Sequence, residues 1–167
     1  MLQKRVIPCL LLHKGGLYKT EKFKNPVYIG DPINAIKIFN EKEVDELIFL
    51  DIGASVENKE PNYRMIEDIA SECFMPLCYG GGVKTIEQMK NIYAIGVEKI
   101  SISSQAVINP SLLIEASNMF GNQSVVVTID IKKDFWGEKK VFINSGKKNT
   151  KLNPMDFIKQ IETLGAG

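Results

Sequence analysis

At 167 residues, with 44% hydrophobic and 25% charged side chains, the chain has the make-up of an ordinary globular domain or of part of a larger one. Its net charge of +1 gives no electrostatic footprint for nucleic acid or a membrane surface, and no apolar run approaches the length of a membrane span. Cys9, Cys73, Cys78 and the single histidine, His13, lack the spacing of a metal site, and the cysteines read as small reduced core residues.

The first apolar run, RVIPCLLL (5–12), follows Lys4-Arg5 but contains Pro8, is short and leads into HKGG without a small-residue cleavage site. It reads as a strand rather than a signal peptide, and the chain as cytoplasmic. The glycine-rich basic segment GGLYKTEKFKN comes next and reads on its own as a mobile, solvated basic turn. Further strands are expected at ELIFLDI (46–52), MPLCYG (75–80), KISIS (99–103) and SVVVTIDI (124–131). Continuous apolar runs of this kind suit parallel strands buried on both faces.

Amphipathic helices fall between the strands. Ile33, Ile36 and Phe39 recur at helical spacing, as do Ile66, Ile69 and Ala70, and Ile86, Met89 and Tyr93. Their starts are marked by Asp31-Pro32, Asn109-Pro110 and Asn153-Pro154, and by a capping box of Thr85 with Gln88. The class is therefore α/β.

The joints NEKEVDELIFLDI, AIGVEKISIS and TLGAG share one course, from helix end through a small residue toward a strand. The last stops at Gly167. The expected architecture is the first five βα units of a (β/α)8 TIM barrel, cut off at Gly167, with residues 1–167 the N-terminal portion of a single domain; a complete barrel takes eight units and about 250 residues. A doubly wound open sheet is the alternative, but its phosphate loop would follow the first strand, whereas here the glycines follow the third.

Those glycines, in YGGGVKT, stand where a strand ends and a helix begins. A tight turn needing positive φ accounts for at least one of them, and bare backbone N–H groups there can also point at a phosphate. Asp51 and Asp130 end the second and fifth expected strands, where an acid faces the substrate side of a barrel.

Read in order, KRVIPCL, FKN, GDP, DELIFLDI, YGGGVKT, NPSLL, FGNQSVVVTID and SGKKNT resemble the cyclase subunit of imidazole glycerol phosphate synthase. The likeness runs from residue 1 to residue 167, apart from a short difference near Phe135-Trp136. It implies a barrel that takes ammonia from a glutaminase partner to cleave and cyclise a doubly phosphorylated ribonucleotide. It further implies phosphate binding by Gly81, Gly82, Ser103 and Ser104, with Lys19 over the ligand as part of a mobile lid, Asp51 at the pocket and Asp130 as one of two catalytic aspartates. The other aspartate position holds Leu11, which can neither take nor give a proton. Alternation along the strand argues against His13 or Lys14 pointing where residue 11 does.

At the opposite end of the strands, Arg5, Glu46 and Lys99 match the family's charged gate at the mouth of an ammonia channel, and Glu98 matches a contact with the glutaminase. Ordinary surface ion pairing is the plainer account of those charges. The leading expectation is an ammonia-accepting barrel subunit of a glutamine amidotransferase, altered at its chemistry. The resemblance also allows surface-sugar amidination with a sugar amidotransferase as third partner. The alternatives are the authentic histidine-pathway cyclase and a non-catalytic docking module for a glutaminase; a related sugar-phosphate isomerase fits worse. None of these needs a metal or an organic cofactor.

Overall fold

The computed structural model describes residues 4–167. Proline has no N–H to give to a ladder, and pairing begins only after Pro8, whose carbonyl accepts from Ile48 N at 2.9 Å. The first strand is therefore β1 (Cys9–His13), shorter than the apolar run suggests. Parallel ladders join it to β4 (Leu47–Asp51), then β5 (Leu77–Gly80), β6 (Lys99–Ile102) and β7 (Val125–Val127), in that order. Among the parallel strands the order never reverses, so they lack the switch point of a doubly wound fold and follow the course of a barrel-type α/β protein.

Register separates the two faces of this sheet. Leu10, Phe49, Tyr79, Ile100 and Val125 lie in one cross-strand row, turned toward the helices. They pack on Ile36 of α1 (Pro32–Glu41), Ile66 and Ile69 of α2 (Tyr63–Glu72), Met89 and Ile92 of α3 (Ile86–Ala94), and Leu113 of α5 (Ser111–Phe120). A short α4 (Ser104–Ile108) precedes α5, and α6 (Pro154–Thr163) closes the chain. The next row, one residue on, is Leu11, Leu50, Gly80, Ser101 and Val126, on the opposite face.

Most of the expected caps form. Asp31 accepts from Asn34 N at 3.0 Å, and Asn153 accepts from Met155 N at 2.8 Å. At α3 the hydroxyl of Thr85 accepts from Gln88 N, but the Gln88 side chain accepts from Lys84 N, one residue before the box position. Asn109-Pro110 caps nothing through its side chain: Asn109 Oδ1 accepts from the Ser111 hydroxyl instead.

Two stretches depart from the expected elements. The segment after β1 is a β-hairpin, β2 (Gly16–Glu21) and β3 (Lys24–Gly30), added antiparallel to the outer side of β1. Its entry turn has φ of 47° at Lys14 and 82° at Gly15, the paired positive values of a two-residue primed turn, for which the second position favours glycine. The fifth strand is also shorter than 124–131. Thr128 N gives its bond to Ile102 O, and the chain then leaves the parallel sheet. Asp130 opens β8 (Asp130–Lys133), which pairs antiparallel with β9 (Lys139–Ile143) in a small sheet completed by β10 (Lys148–Asn149). Among the described residues no helix is long and apolar enough to cross a membrane.

Candidate functional site

A cavity of about 400 Å3 opens where β4, β5 and β6 end, a size suited to a small molecule. Its wall includes Asp51, Gly81, Gly82, Ser103, Ser104 and Asp130, brought together from four separate stretches of chain. Leu11 and Lys19 are not in it. Lys19 lies exposed on β2, because the segment expected as a loop is paired as a hairpin beside β1.

The three glycines each have a packing reason. A Cβ on Gly80 would stand 2.9 Å from the Ser101 carbonyl, one on Gly81 2.6 Å from the Asp51 carbonyl, and one on Gly82 2.8 Å from the Lys59 carbonyl. Gly81 and Gly82 also have φ of 124° and 73°. The run therefore lets the β5 end pass between its neighbours with its backbone bare. That bareness is what leaves the floor of the cavity open.

Hydroxyls line the facing wall. Ser101 Oγ and Thr128 Oγ1 share a hydrogen bond of 2.5 Å, and Ser104 Oγ accepts from Asn144 N at 2.9 Å. Ser103 sits at the N-cap of α4 without a side-chain bond to it. Lys84, Ser55 and Ser145 complete the polar rim.

The two carboxylates differ in their duties. Asp51 Oδ1 accepts from Gly53 N at 2.9 Å and Ala54 N at 3.0 Å, which fixes the turn after β4. Asp130 is half-buried at the start of β8 rather than at a parallel strand end, and its Oδ2 accepts from Gly146 N at 3.1 Å. Burial raises its pKa above the ordinary value, opposed by the Gly146 bond and the nearby Lys132.

His13 stands differently from the sequence expectation. Because β1 continues through His13, residues 11 and 13 fall on one side of the strand, and Lys14 alone turns away in the hairpin. The His13 ring packs edge-on against Tyr18 at 5.2 Å. Among the described residues, neither its buried Nδ1 nor the buried Tyr79 hydroxyl has a hydrogen-bond partner. A Cβ on Gly53 would lie 3.0 Å from His13 Nδ1 and 3.4 Å from Asp51 Oδ1, so the imidazole stands close behind the Asp51 turn.

At the other end of the strands, Arg5 and Lys99 both pair with Glu46, the first at 3.2 Å. The glutamate side chain is 8% exposed and the arginine 59%, so one sunken acid is held by a cation on its solvent side and another on β6. Glu98 lies exposed beside this cluster, its backbone N–H donated to Leu77 O.

Sequence reasoning missed Ser101, Thr128, Asn144 and Ser145. The inward position of Ser101 was readable from alternation in KISIS. Asn144 and Ser145 carried no local signal, since only the β8–β9 fold-back carries them to the cavity. Among the described residues, no group of three or more His, Cys, Asp or Glu could hold a metal ion.

Known proteins resemble this chain over its whole length. The model of the family described as "Histidine biosynthesis protein" matches residues 5–167. The chain is 54% identical over 167 residues to the "Putative imidazole glycerol phosphate synthase subunit hisF2" of Pseudomonas aeruginosa, covering 100% of this chain and 66% of that protein. It is 53% identical to the corresponding "hisF3" protein of Vibrio vulnificus, covering 100% and 65%. Against the "Imidazole glycerol phosphate synthase subunit HisF" of Natranaerobius thermophilus the identity is 42%, covering 100% and 66%. The chain thus spans about two thirds of the length of the curated relatives it matches. With a family model matching from residue 5 to residue 167 and relatives of this similarity, the chain belongs to the histidine biosynthesis protein family, alongside the cyclase subunits of imidazole glycerol phosphate synthase.

Proposed function

We propose that the chain forms the ligand-holding part of a cyclase-type subunit of imidazole glycerol phosphate synthase, which uses ammonia delivered by a glutaminase. The observation that carries this reading is the single cavity on which Gly81, Gly82, Ser103 and Ser104 converge with Asp51 and Asp130. Backbone amides at the glycine run and the serine hydroxyls are suited to phosphate oxygens. Asp130, whose raised pKa follows from burial, is suited to exchanging a proton with a bound ligand. The Arg5–Glu46–Lys99 cluster and Glu98 lie at the strand ends remote from the cavity, which fits entry of ammonia from a partner on that side.

A second reading is favoured by Leu11. It stands in the row of Leu50, Gly80 and Ser101 but supplies no proton-transferring group. With one of the family's two acids missing, ammonia would pass to another acceptor, such as a surface-sugar amidotransferase.

One experiment separates the two. The full-length protein is paired with its glutaminase and given glutamine and the family's ribonucleotide substrate. Coupled glutamine hydrolysis and imidazole product at about 1 s⁻¹ or faster establishes the cyclase. Glutamine hydrolysis with product reduced by a factor on the order of 10²–10⁴, the usual effect of losing one acid or base, removes the cyclase and keeps the second reading. No stimulation of glutamine hydrolysis defeats both.

A further inference from the structure

The β8–β9 hairpin breaks two rules of a stable surface hairpin. Its tip exposes Phe135 and Trp136, 93% and 84% accessible, in a T-shaped pair with ring centroids 5.5 Å apart. Its stem sets Lys132 opposite Lys140 and Lys133 opposite Lys139. Like charges directly across two strands destabilise the pairing, and two exposed aromatics gain nothing from water. The folded chain relieves only part of this. Lys132 is drawn over the Phe142 ring at 4.9 Å and donates to Gly146 O, and Lys140 pairs with Glu138 at 2.7 Å. Lys133 and Lys139 remain exposed beneath the aromatic pair.

The tip is nevertheless held in one shape. Asp134 Oδ1 accepts from Trp136 N at 2.9 Å and from Glu138 N at 3.0 Å, and Asp134 O accepts from Gly137 N at 3.1 Å. An anchor fixed before binding loses little entropy on docking. Large aromatics are among the residues that dominate protein interfaces.

From this combination we propose that the β8–β9 hairpin is a docking element for a second protein, one presenting an apolar pocket rimmed by carboxylates. Phe135 and Trp136 enter the pocket, and Lys133 and Lys139 meet its rim. A protein fits better than a phosphate-rich surface on two grounds. The edge-on ring pair is a compact knob rather than a flat stacking platform. The chain's net charge of +1 provides no long-range pull toward a polyanion.

The position has a consequence for function. Asp130 and Asn144, at either side of the hairpin's base, line the cavity. A protein seated on the tip therefore stands beside the cavity mouth, at the end of the strands away from Arg5, Glu46 and Lys99. It is a different partner from one bound at that charged cluster.

The test uses the full-length protein in the cells that make it, with p-benzoylphenylalanine at position 135 and, as a control, at the exposed but distant position 74. A protein cross-linked from 135 and absent from 74 is identified, purified and titrated. Binding is followed by Trp136 emission, taken as the difference between the protein and its Trp136→Phe variant. The proposal expects a blue shift on binding and an affinity weakened about tenfold or more by Phe135→Ala and by the double change Lys133→Glu, Lys139→Glu. Any of the following overturns it: no cross-link special to 135, a partner bound equally well by Phe135→Ala, or an indole already buried in the free full-length protein. A blue shift produced instead by phosphatidylcholine–phosphatidylglycerol vesicles or by polyuridylic acid overturns it too. None of these readouts depends on enzymatic activity, so failure of the cyclase reading leaves the test intact.

Discussion

The two ends of the parallel strands handle polar groups in opposite ways. At the N-terminal end the polar groups are charges that answer one another: Glu46 is sunken and takes both Arg5 and Lys99. At the C-terminal end they are mostly neutral hydroxyls and bare backbone around an open cavity, with one carboxylate kept above its ordinary pKa by burial. A self-satisfied cluster holds structure together with or without a partner. A cavity that holds a half-buried acid at some expense in stability is arranged for something that is not part of the chain.

Four measurements can break or sharpen that contrast. The largest effect is expected at Gly81→Ala. The added Cβ meets the Asp51 carbonyl at 2.6 Å, and the residue must hold φ at 124°. Strain and overpacking together should destabilise by about 3 kcal/mol, read as a lower denaturant midpoint at unchanged slope. A midpoint within error of the parent would mean that packing does not require this glycine.

Next is Glu46→Ala, which leaves two cations facing each other at the charged end. Removing one member of a buried pair typically costs 3–5 kcal/mol; with Arg5 and Lys99 still reached by solvent, about 2 kcal/mol is expected here. Loss of stability without loss of anion binding at the cavity would keep the two ends independent. Parallel loss of both would refute their separation.

Ser103→Ala should do the reverse. A hydrogen bond to a charged group contributes about 1.5 kcal/mol, so inorganic phosphate should bind the cavity roughly tenfold more weakly by calorimetric titration. The melting temperature should stay put, since the Ser103 hydroxyl makes no bond to its own helix and its backbone bond to Ala106 N is untouched by the change. Unchanged phosphate affinity would remove this hydroxyl from the site.

The smallest effect, and the one with a definite sign, belongs to Asp130→Asn. The folded pKa of Asp130 is raised above its ordinary 3.8, chiefly by burial, so the folded state favours the protonated form. The stability contributed by that proton is fully present below the unfolded value and is lost as pH rises through the folded one. The asparagine variant, which can still accept from Gly146 N, should therefore melt above the parent at neutral pH. The difference should close on acidification, and a gap that widens toward low pH would contradict the assignment.

Local chemistry carried much of the fold. Apolar runs marked all five parallel strands, helical spacing found Ile36, Ile66, Ile69 and Met89 in the core, and Asp31-Pro32 and Asn153-Pro154 capped as their side chains predict. These features depend on neighbours a few residues away, and so they are written in short stretches of sequence. The hairpin after β1 was less legible because Lys14-Gly15 is an uncommon pair for a primed turn, and its glycines suggested mobility instead.

What tertiary structure alone decided is which polar groups meet. Nothing in SVVVTIDI tells the chain to leave the parallel sheet after Thr128; that follows from Asp130 finding Phe142 across a hairpin, and it brings Asn144 and Ser145 to the cavity. The glycine run could be read as a phosphate loop or as a turn. Only the carbonyls of Asp51, Lys59 and Ser101, arriving from three other segments, explain why all three positions lack a side chain. The sequence by itself determined the alternating α/β order, the apolar faces and the family, because each rests on residue types and their spacing. The cavity and the charged cluster rest on distances between segments far apart in the chain, and those exist only once the strands have paired.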